Sequence, residues 1–308
     1  VSMGSMGVVY SVIMEVRPLF WLEESRKVYK WKEIKPQLED GSIIRDNEHF
    51  EVYLNPYKTD GDHTCVVTTR NTVRVEQRPK GPDGRRNFLS SLMMSFKVTP
   101  KVLLQIFMLI PHKTPSLIDR AMKALEDEEY VDKSYKVLNQ GLKQVKTVGT
   151  AIELGFSMDD YLKAVERVFE IAEKRALIGC QYVTSPFALR FVKESKAYMS
   201  MMYGGDTCMI EIPTLTKSLG RVDILHHFQA ELYKCGGRPH WGLEVDHLTG
   251  SNNLIKNMYP KYDKFIEMYQ KINHKGTFNN AFTDRVGFSK IEFSKDEPKS
   301  NNQEGVIA

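Results

Sequence analysis

Along Phe187-Ala188-Leu189-Arg190-Phe191-Val192 a large apolar side chain recurs at every second position. Only an extended strand turns Phe187, Leu189 and Phe191 to one side, and it turns Ala188 and Arg190 to the other. His49-Phe50-Glu51-Val52-Tyr53-Leu54 alternates in the same way and is expected to stop at Asn55-Pro56-Tyr57. Cys65 to Val75, rich in Val and Thr, reads as a further strand, and so does Thr147 to Phe156, which contains Glu153. Residues 181–213 are expected to hold three strands, with a hairpin turn at Gly204-Gly205-Asp206. The last of them, Thr207 to Ile212, carries Glu211 and is expected to end at Pro213. Ser2 to Ile13 reads as a glycine turn leading into a strand.

Between these stretches the period changes to that of a helix. Ser157 is expected to cap a helix with Asp159 and Asp160 in its first turn and a stripe of Leu162, Val165, Val168, Phe169 and Ala172, closed by Gly179. Leu225, Phe228 and Leu232 define a second helix that stops at Gly236, and Pro260 opens a last one with Tyr262, Phe265, Ile266, Tyr269 and Ile272 on its apolar side. Residues 23–39 are polar and amphipathic, and residues 87–128 look helical with a break from Pro111 to Pro115. Residues 80–86 read as an exposed turn, and residues 294–308 as a polar, disordered tail. The order strand, strand, helix, strands, helix predicts an α+β fold with an antiparallel sheet flanked by helices.

Composition excludes several classes. The 43 basic and 39 acidic side chains nearly balance, at a net charge of +4, and no basic run is interleaved with aromatics, so nucleic acid is not an expected partner. Cys65, Cys180, Cys208 and Cys235 are widely spaced and read as reduced thiols, which favours an intracellular setting. The one long apolar run, Val102 to Pro111, is too short to span a bilayer, so peripheral membrane association would need an amphipathic surface or another segment. The chain begins with Val1 inside a glycine-punctuated apolar stretch and is expected to be the later part of a longer polypeptide.

The stretch Gly236-Gly237-Arg238-Pro239-His240-Trp241-Gly242 stands out as a loop that fixes an imidazole and an indole. On spacing alone it is equally a helix end followed by two core aromatics. His226, His227 and His247 do not complete a metal motif with His240, because neighbouring helix positions point apart, and no metal is expected.

Gly236 to Trp241 resembles the signature loop of the sugar-1,4-lactone oxidases, FAD-linked flavoproteins of the vanillyl-alcohol oxidase superfamily that include D-arabinono-1,4-lactone and L-gulonolactone oxidases. Met258-Tyr259-Pro260, Phe265 and Gly276-Thr277-Phe278-Asn279-Asn280 continue the resemblance, as do Gly4 to Val9 and the short segment Ser134 to Gln140. Leu243 stands where the family has a lysine, and Ala188 stands where it often has a glutamate two residues before the arginine. The resemblance implies residues 1–16 as the end of an FAD-binding domain and residues 17–293 as a substrate (cap) domain, with the rest of the FAD domain outside this chain. It implies FAD contact at Ser2, Gly4, Gly7 and Val8, and a substrate pocket that includes Trp241 and Ala188.

The implied reaction moves a hydride from a lactone or other alcohol to the flavin and then electrons to oxygen. His240 is the candidate base and Arg190 the candidate anion stabiliser, since an arginine amid Phe and Leu requires a partner. Glu211 could supply a carboxylate to the same face, or serve only as an ion-pair partner of Arg190. A flavin dehydrogenase with another acceptor and a non-catalytic remnant without the FAD domain remain the alternatives.

Overall fold

The computed structural model describes residues 1–74, 100–138 and 149–289. In chain order these form β1 (Trp21–Lys30), α1 (Trp31–Glu39), α2 (Ser42–Arg45), β2 (His49–Thr59), β3 (Asp62–Val73), α3 (Pro100–Leu109), α4 (Thr114–Lys123), β4 (Asp127–Lys133) and α5 (Ser134–Val137). There follow β5 (Gly149–Ser157), α6 (Tyr161–Gly179), β6 (Phe187–Val192), β7 (Thr207–Leu215), α7 (Arg221–Lys234), β8 (Arg238–Pro239), α8 (Leu254–Met258), α9 (Tyr262–Ile272) and α10 (Ala281–Arg285). The strands make one sheet in the order β4-β1-β3-β2-β6-β7-β5-β8, with every neighbouring pair antiparallel. The α+β class and the helix-flanked antiparallel sheet are as expected.

Period-two alternation explains one face of this sheet. Val52, Leu189, Ile210 and Leu154 stand opposite one another across β2, β6, β7 and β5. They are fully buried, with α4 and α6 packed on β2, and α6 and α7 on β5. Phe169 of α6 meets Trp31 of α1 edge-on at 5.6 Å and Phe187 of β6 at 5.4 Å, so the helix stripe and the strand alternation close on each other. Each such side chain contributes about 1.5–3 kcal/mol by leaving water.

Several boundaries differ from the sequence expectation. The strand from His49 does not stop at Asn55-Pro56 but runs to Thr59, and its ladder with β3 slips between Leu54 and Lys58. The Asn55 side chain makes this possible: its Oδ1 accepts the Tyr57 N–H at 3.1 Å and its Nδ2 donates to the Pro115 carbonyl at 3.1 Å. Ser157 is not a helix cap. It is the last residue of β5, opposite Thr207, and its hydroxyl donates to Asp160 at 2.8 Å, while Asp160 precedes the helix. Between 181 and 213 two strands form, not three, and Pro213 lies inside β7 opposite Ala151. β6 has left the ladder by then, its last pair being Ala188 with Glu211, so on that side Pro213 withholds no ladder bond.

The helical expectation for residues 87–128 holds for α3 and α4, but from Asp127 the chain pairs with β1 as an edge strand; residues 87–99 lie outside the described residues. After the turn at Met3-Gly4 the amino-terminal segment forms neither helix nor strand as far as Phe20. Val8, Tyr10, Val12, Ile13 and Val16 are exposed along it, because a strand needs a neighbour to be one. Residues 80–86 and 294–308 also lie outside the described residues. No helix among the described residues is long and apolar enough to cross a membrane.

Candidate active site

The other face of the sheet carries charge. Register places Tyr53 opposite Ala188, Ala188 opposite Glu211, and Glu211 opposite Glu153. The His240 N–H donates to the Glu153 carbonyl at 2.8 Å, just beyond β8. Tyr53, Ala188, Glu211, Glu153 and His240 therefore form one row across five strands. Arg190, two residues from Ala188, reaches into the row. Its Nη2 pairs with Glu211 Oε2, and its Nη1 lies 3.6 Å from Glu153 Oε1. His240 Nε2 lies 3.9 Å from the other oxygen, Glu153 Oε2.

Two carboxylates directly opposite on neighbouring strands repel. Here Arg190 stands between them, and only one of the two is strongly buried: Glu153 is 8 % exposed. Burial pushes its carboxyl above the usual carboxylate range; Arg190 opposes this, Glu211 adds to it, and His240 opposes it. For Arg190 burial works against the cation, yet Glu211 and Glu153 hold it above the usual guanidinium range. The side chains of Arg190 and His240 are each 39 % exposed, so this end of the row is open to a ligand.

The loop that presents His240 is built as its glycines suggest. Gly236, at φ 84°, and Gly237 close α7 by sending their N–H groups to the carbonyls of Tyr233 (3.1 Å) and Leu232 (3.0 Å). A Cβ on Gly237 would lie 2.8 Å from Phe156 and 2.9 Å from both Leu154 and the Leu232 carbonyl, so the chain passes here only as glycine. Pro239 then pairs with Leu154, and Arg238 donates to the Tyr203 carbonyl at 2.6 Å. Trp241 stacks on Tyr259 at 5.6 Å and donates its indole N–H to the Met199 carbonyl at 2.9 Å. His240 Nδ1 accepts the Gly242 N–H at 3.1 Å.

The structure thus brings together Arg190, Glu211 and His240, with Ala188 in the same row. Trp241 follows His240 directly and anchors the loop from its own packing site. Sequence reasoning missed Glu153, although a carboxylate between Ile152 and Leu154 was a signal. It also missed a second charged group on the same face, where Arg70 binds Glu24 and Glu51 at 2.6 Å each and Arg26 binds Glu24 at 2.8 Å. Ser2, Gly4, Gly7 and Val8 lie in the exposed amino-terminal segment, where Ser5 hydrogen-bonds the Ser2 carbonyl through its N–H (3.0 Å) and hydroxyl (2.7 Å). His226 and His247 lie ring to ring at 4.6 Å, and no group of three His, Cys, Asp or Glu side chains among the described residues is placed to hold a metal.

Two hollows flank the row. One of ≈ 740 Å³ is lined by Arg190, Glu51 and Arg70; the other, of ≈ 470 Å³, by Glu211, Ala151, Pro213, Gly242 and Leu243.

Residues 12–286 match the family model described as D-arabinono-1,4-lactone oxidase. The chain is 25 % identical over 289 residues to an L-gulono-1,4-lactone dehydrogenase of Mycobacterium tuberculosis, covering 93 % of this chain and 62 % of that protein. It is 21 % identical over 295 residues to the L-gulonolactone oxidase of Bos taurus, covering 93 % and 61 %. The chain therefore spans about three-fifths of the length of these relatives. Among solved structures, the cholesterol oxidase from B. sterolicum superimposes with a TM-score of 0.61 at 10 % identity, covering 87 % of this chain and 60 % of that one. A solvent-stable cholesterol oxidase superimposes with a TM-score of 0.63 at 11 % identity, covering 88 % and 60 %. These two share the fold.

Proposed function

The chain belongs to the D-arabinono-1,4-lactone oxidase family, and from that membership we propose that it is the substrate-facing part of an FAD-dependent enzyme that oxidises a hydroxyl carbon of a sugar 1,4-lactone. The observation that carries the reading is the open row of Glu211, Glu153 and His240 with Arg190 set between the carboxylates. Such a row offers a proton acceptor, a hydrogen-bond donor and a fixed cation within one side-chain reach, which is what removing a proton and a hydride from an alcohol requires. Leu243 gives the neighbouring hollow an apolar wall.

The residues present fit FAD. Gly4 and Gly7 have φ of +70° and +129°, and a Cβ on either would meet nothing within 4 Å, so the backbone there is open to close approach. With Ser2 and the exposed Val8 they are the residues that would hold the cofactor, whose remaining site we place in a segment preceding Val1. FAD, when bound, supplies the hydride acceptor. Arg190 would stabilise the negative charge that hydride transfer creates.

Oxygen as the final acceptor is the first reading, and a protein or dye acceptor the second, because the relatives' names divide between oxidase and dehydrogenase. In the protein expressed from its whole coding sequence and loaded with FAD, anaerobic mixing with D-arabinono-1,4-lactone or L-gulono-1,4-lactone should bleach the flavin band. Arg190→Met should slow that bleaching roughly 10²–10³-fold. A bound flavin that neither lactone reduces refutes the reading. Mixing the reduced protein with oxygen then separates the two acceptors.

A further inference from the structure

The orientation of His240 changes the role that its position suggests. Its Nδ1 accepts the Gly242 N–H at 3.1 Å, so in the neutral ring the proton is on Nε2. The backbone bond from His240 to the Glu153 carbonyl fixes the residue across from Glu153, and Nε2 is the nitrogen that faces the carboxylate. The open nitrogen of the neutral imidazole is therefore a donor, whereas the buried carboxylate beside it is an acceptor.

The spacing between them suits a third group. At 3.9 Å, Nε2 and Glu153 Oε2 are too far apart for a direct hydrogen bond. An oxygen placed about 2.8 Å from each would sit at the apex of an angle of about 90°, within hydrogen-bond reach of both. A hydroxyl is the group that can donate to an ionised carboxylate and accept from an imidazole N–H at the same time. The second oxygen, Glu153 Oε1, faces Arg190 at 3.6 Å, and Oε2 is the oxygen turned toward His240 and the ligand.

We propose that Glu153 is the catalytic residue that takes the hydroxyl proton, while His240 holds the same oxygen through its Nε2–H. The proton passes from the hydroxyl oxygen to Glu153 Oε2, and the carbon–hydrogen bond breaks with its electron pair going as hydride to the oxidised flavin. The C–O bond becomes a carbonyl. Afterwards both the Glu153 hydroxyl and the His240 N–H donate to the carbonyl oxygen, so product is held by the groups that held substrate. The groups facing Glu153 are Arg190 from β6, Glu211 from β7 and His240 after β8, with Tyr53 and Glu51 of β2 beyond Arg190. Burial raises the Glu153 carboxyl, which moves a carboxylate toward the range of a useful base.

The reaction class rests on the proposed function, so the experiment has one arm that needs the reaction and two that do not. In the FAD-loaded, full-length protein, flavin reduction by the lactone should rise with pH through one ionisation above the ordinary glutamate range. Glu153→Gln should lose that rise and slow reduction roughly 10²–10⁴-fold. Glu153→Asp should keep the rise at a lower rate, and His240→Gln should slow reduction yet keep the rise. A rise that persists in Glu153→Gln, or disappears only in His240→Gln, overturns the assignment.

The second arm is ¹⁵N NMR of the histidines in the same protein. The His240 signals should show a protonated Nε2 and a lone-pair Nδ1, and the opposite tautomer overturns the donor role.

The third arm is stability against pH. Because the folded carboxyl is raised, Glu153 contributes stability that is complete below the unfolded value of about 4.3 and is lost as pH rises through the folded value. Glu153→Gln lacks that loss, so it should melt higher than the parent at neutral pH and equally at low pH. A lower melting temperature at neutral pH shows a structural carboxylate and overturns the proposal. If no lactone reduces the flavin, the reaction class fails, while tautomer and stability still decide the two residues' states.

Discussion

Two clusters of arginine and glutamate lie on the same face of the same sheet and are built differently. In the β1-β3-β2 half, Arg26, Glu24, Arg70 and Glu51 are nearly closed from water, Arg70 being 5 % exposed, and their ionic contacts are 2.6–2.8 Å. In the β6-β7-β5-β8 half, Arg190 and His240 are open, and the contacts to Glu153 stretch to 3.6 and 3.9 Å. The first half has these four charges matched at hydrogen-bond length and so holds strands together. The second keeps one buried carboxylate beyond hydrogen-bond length from Arg190 and His240, as the proton-accepting role proposed for it requires. Closeness of pairing, more than residue type, separates the closed cluster from the proposed site.

The largest effect should come from the closed half. Arg70→Met leaves Glu24 and Glu51 buried without their shared cation, and should cost about 3–5 kcal/mol in urea unfolding. Replacing Glu24, Arg26, Arg70 and Glu51 together by apolar residues of similar size should cost much less, because the four charges that pair with one another leave together. If the fourfold change is as harmful as the single one, the closed cluster holds the strands by something other than charge pairing.

Gly237→Ala comes next. The new Cβ meets two core side chains and a fixed carbonyl, and about 1–3 kcal/mol should be lost as the loop shifts. The shift should also disturb the His240 NMR signals, since His240 is three residues away on the same strand end. Unchanged stability and unchanged signals would mean that the loop has slack.

The smallest effect on folding should be at Arg190. Its side chain is partly open, so Arg190→Met should change stability by no more than about 1 kcal/mol even as it slows flavin reduction. A loss comparable to that of Arg70→Met would erase the difference between the two halves.

The charged face also explains what was hard to read. In the sequence β1 reads as part of a polar, amphipathic stretch because its inward positions after Leu22 are Glu24 and Arg26. A strand whose buried side is charged does not alternate in hydropathy, although it alternates in geometry. Asn55-Pro56 looked like a stop because the repair comes from the Asn55 side chain and from Pro115, sixty residues away. Glu153 was visible as a carboxylate in an apolar strand, but nothing local distinguishes it from a solvated residue.

By itself the sequence determined the elements whose cause is local. The alternation in β2, β5, β6 and β7, the stripe of α6, and the glycines that end α7 at 236 and 237 are properties of neighbouring residues, and each appears where its pattern lies. Tertiary structure decided which charges meet. Arg190, Glu211, Glu153 and His240 come from four elements spread over nearly ninety residues, and they form a row only because the sheet order runs β6-β7-β5-β8. β5 enters out of chain order, between β7 and β8, because strand order is fixed by how the apolar face closes on its helices and not by adjacency in the chain. A one-residue slip in the β5 register would turn Glu153 to the apolar side.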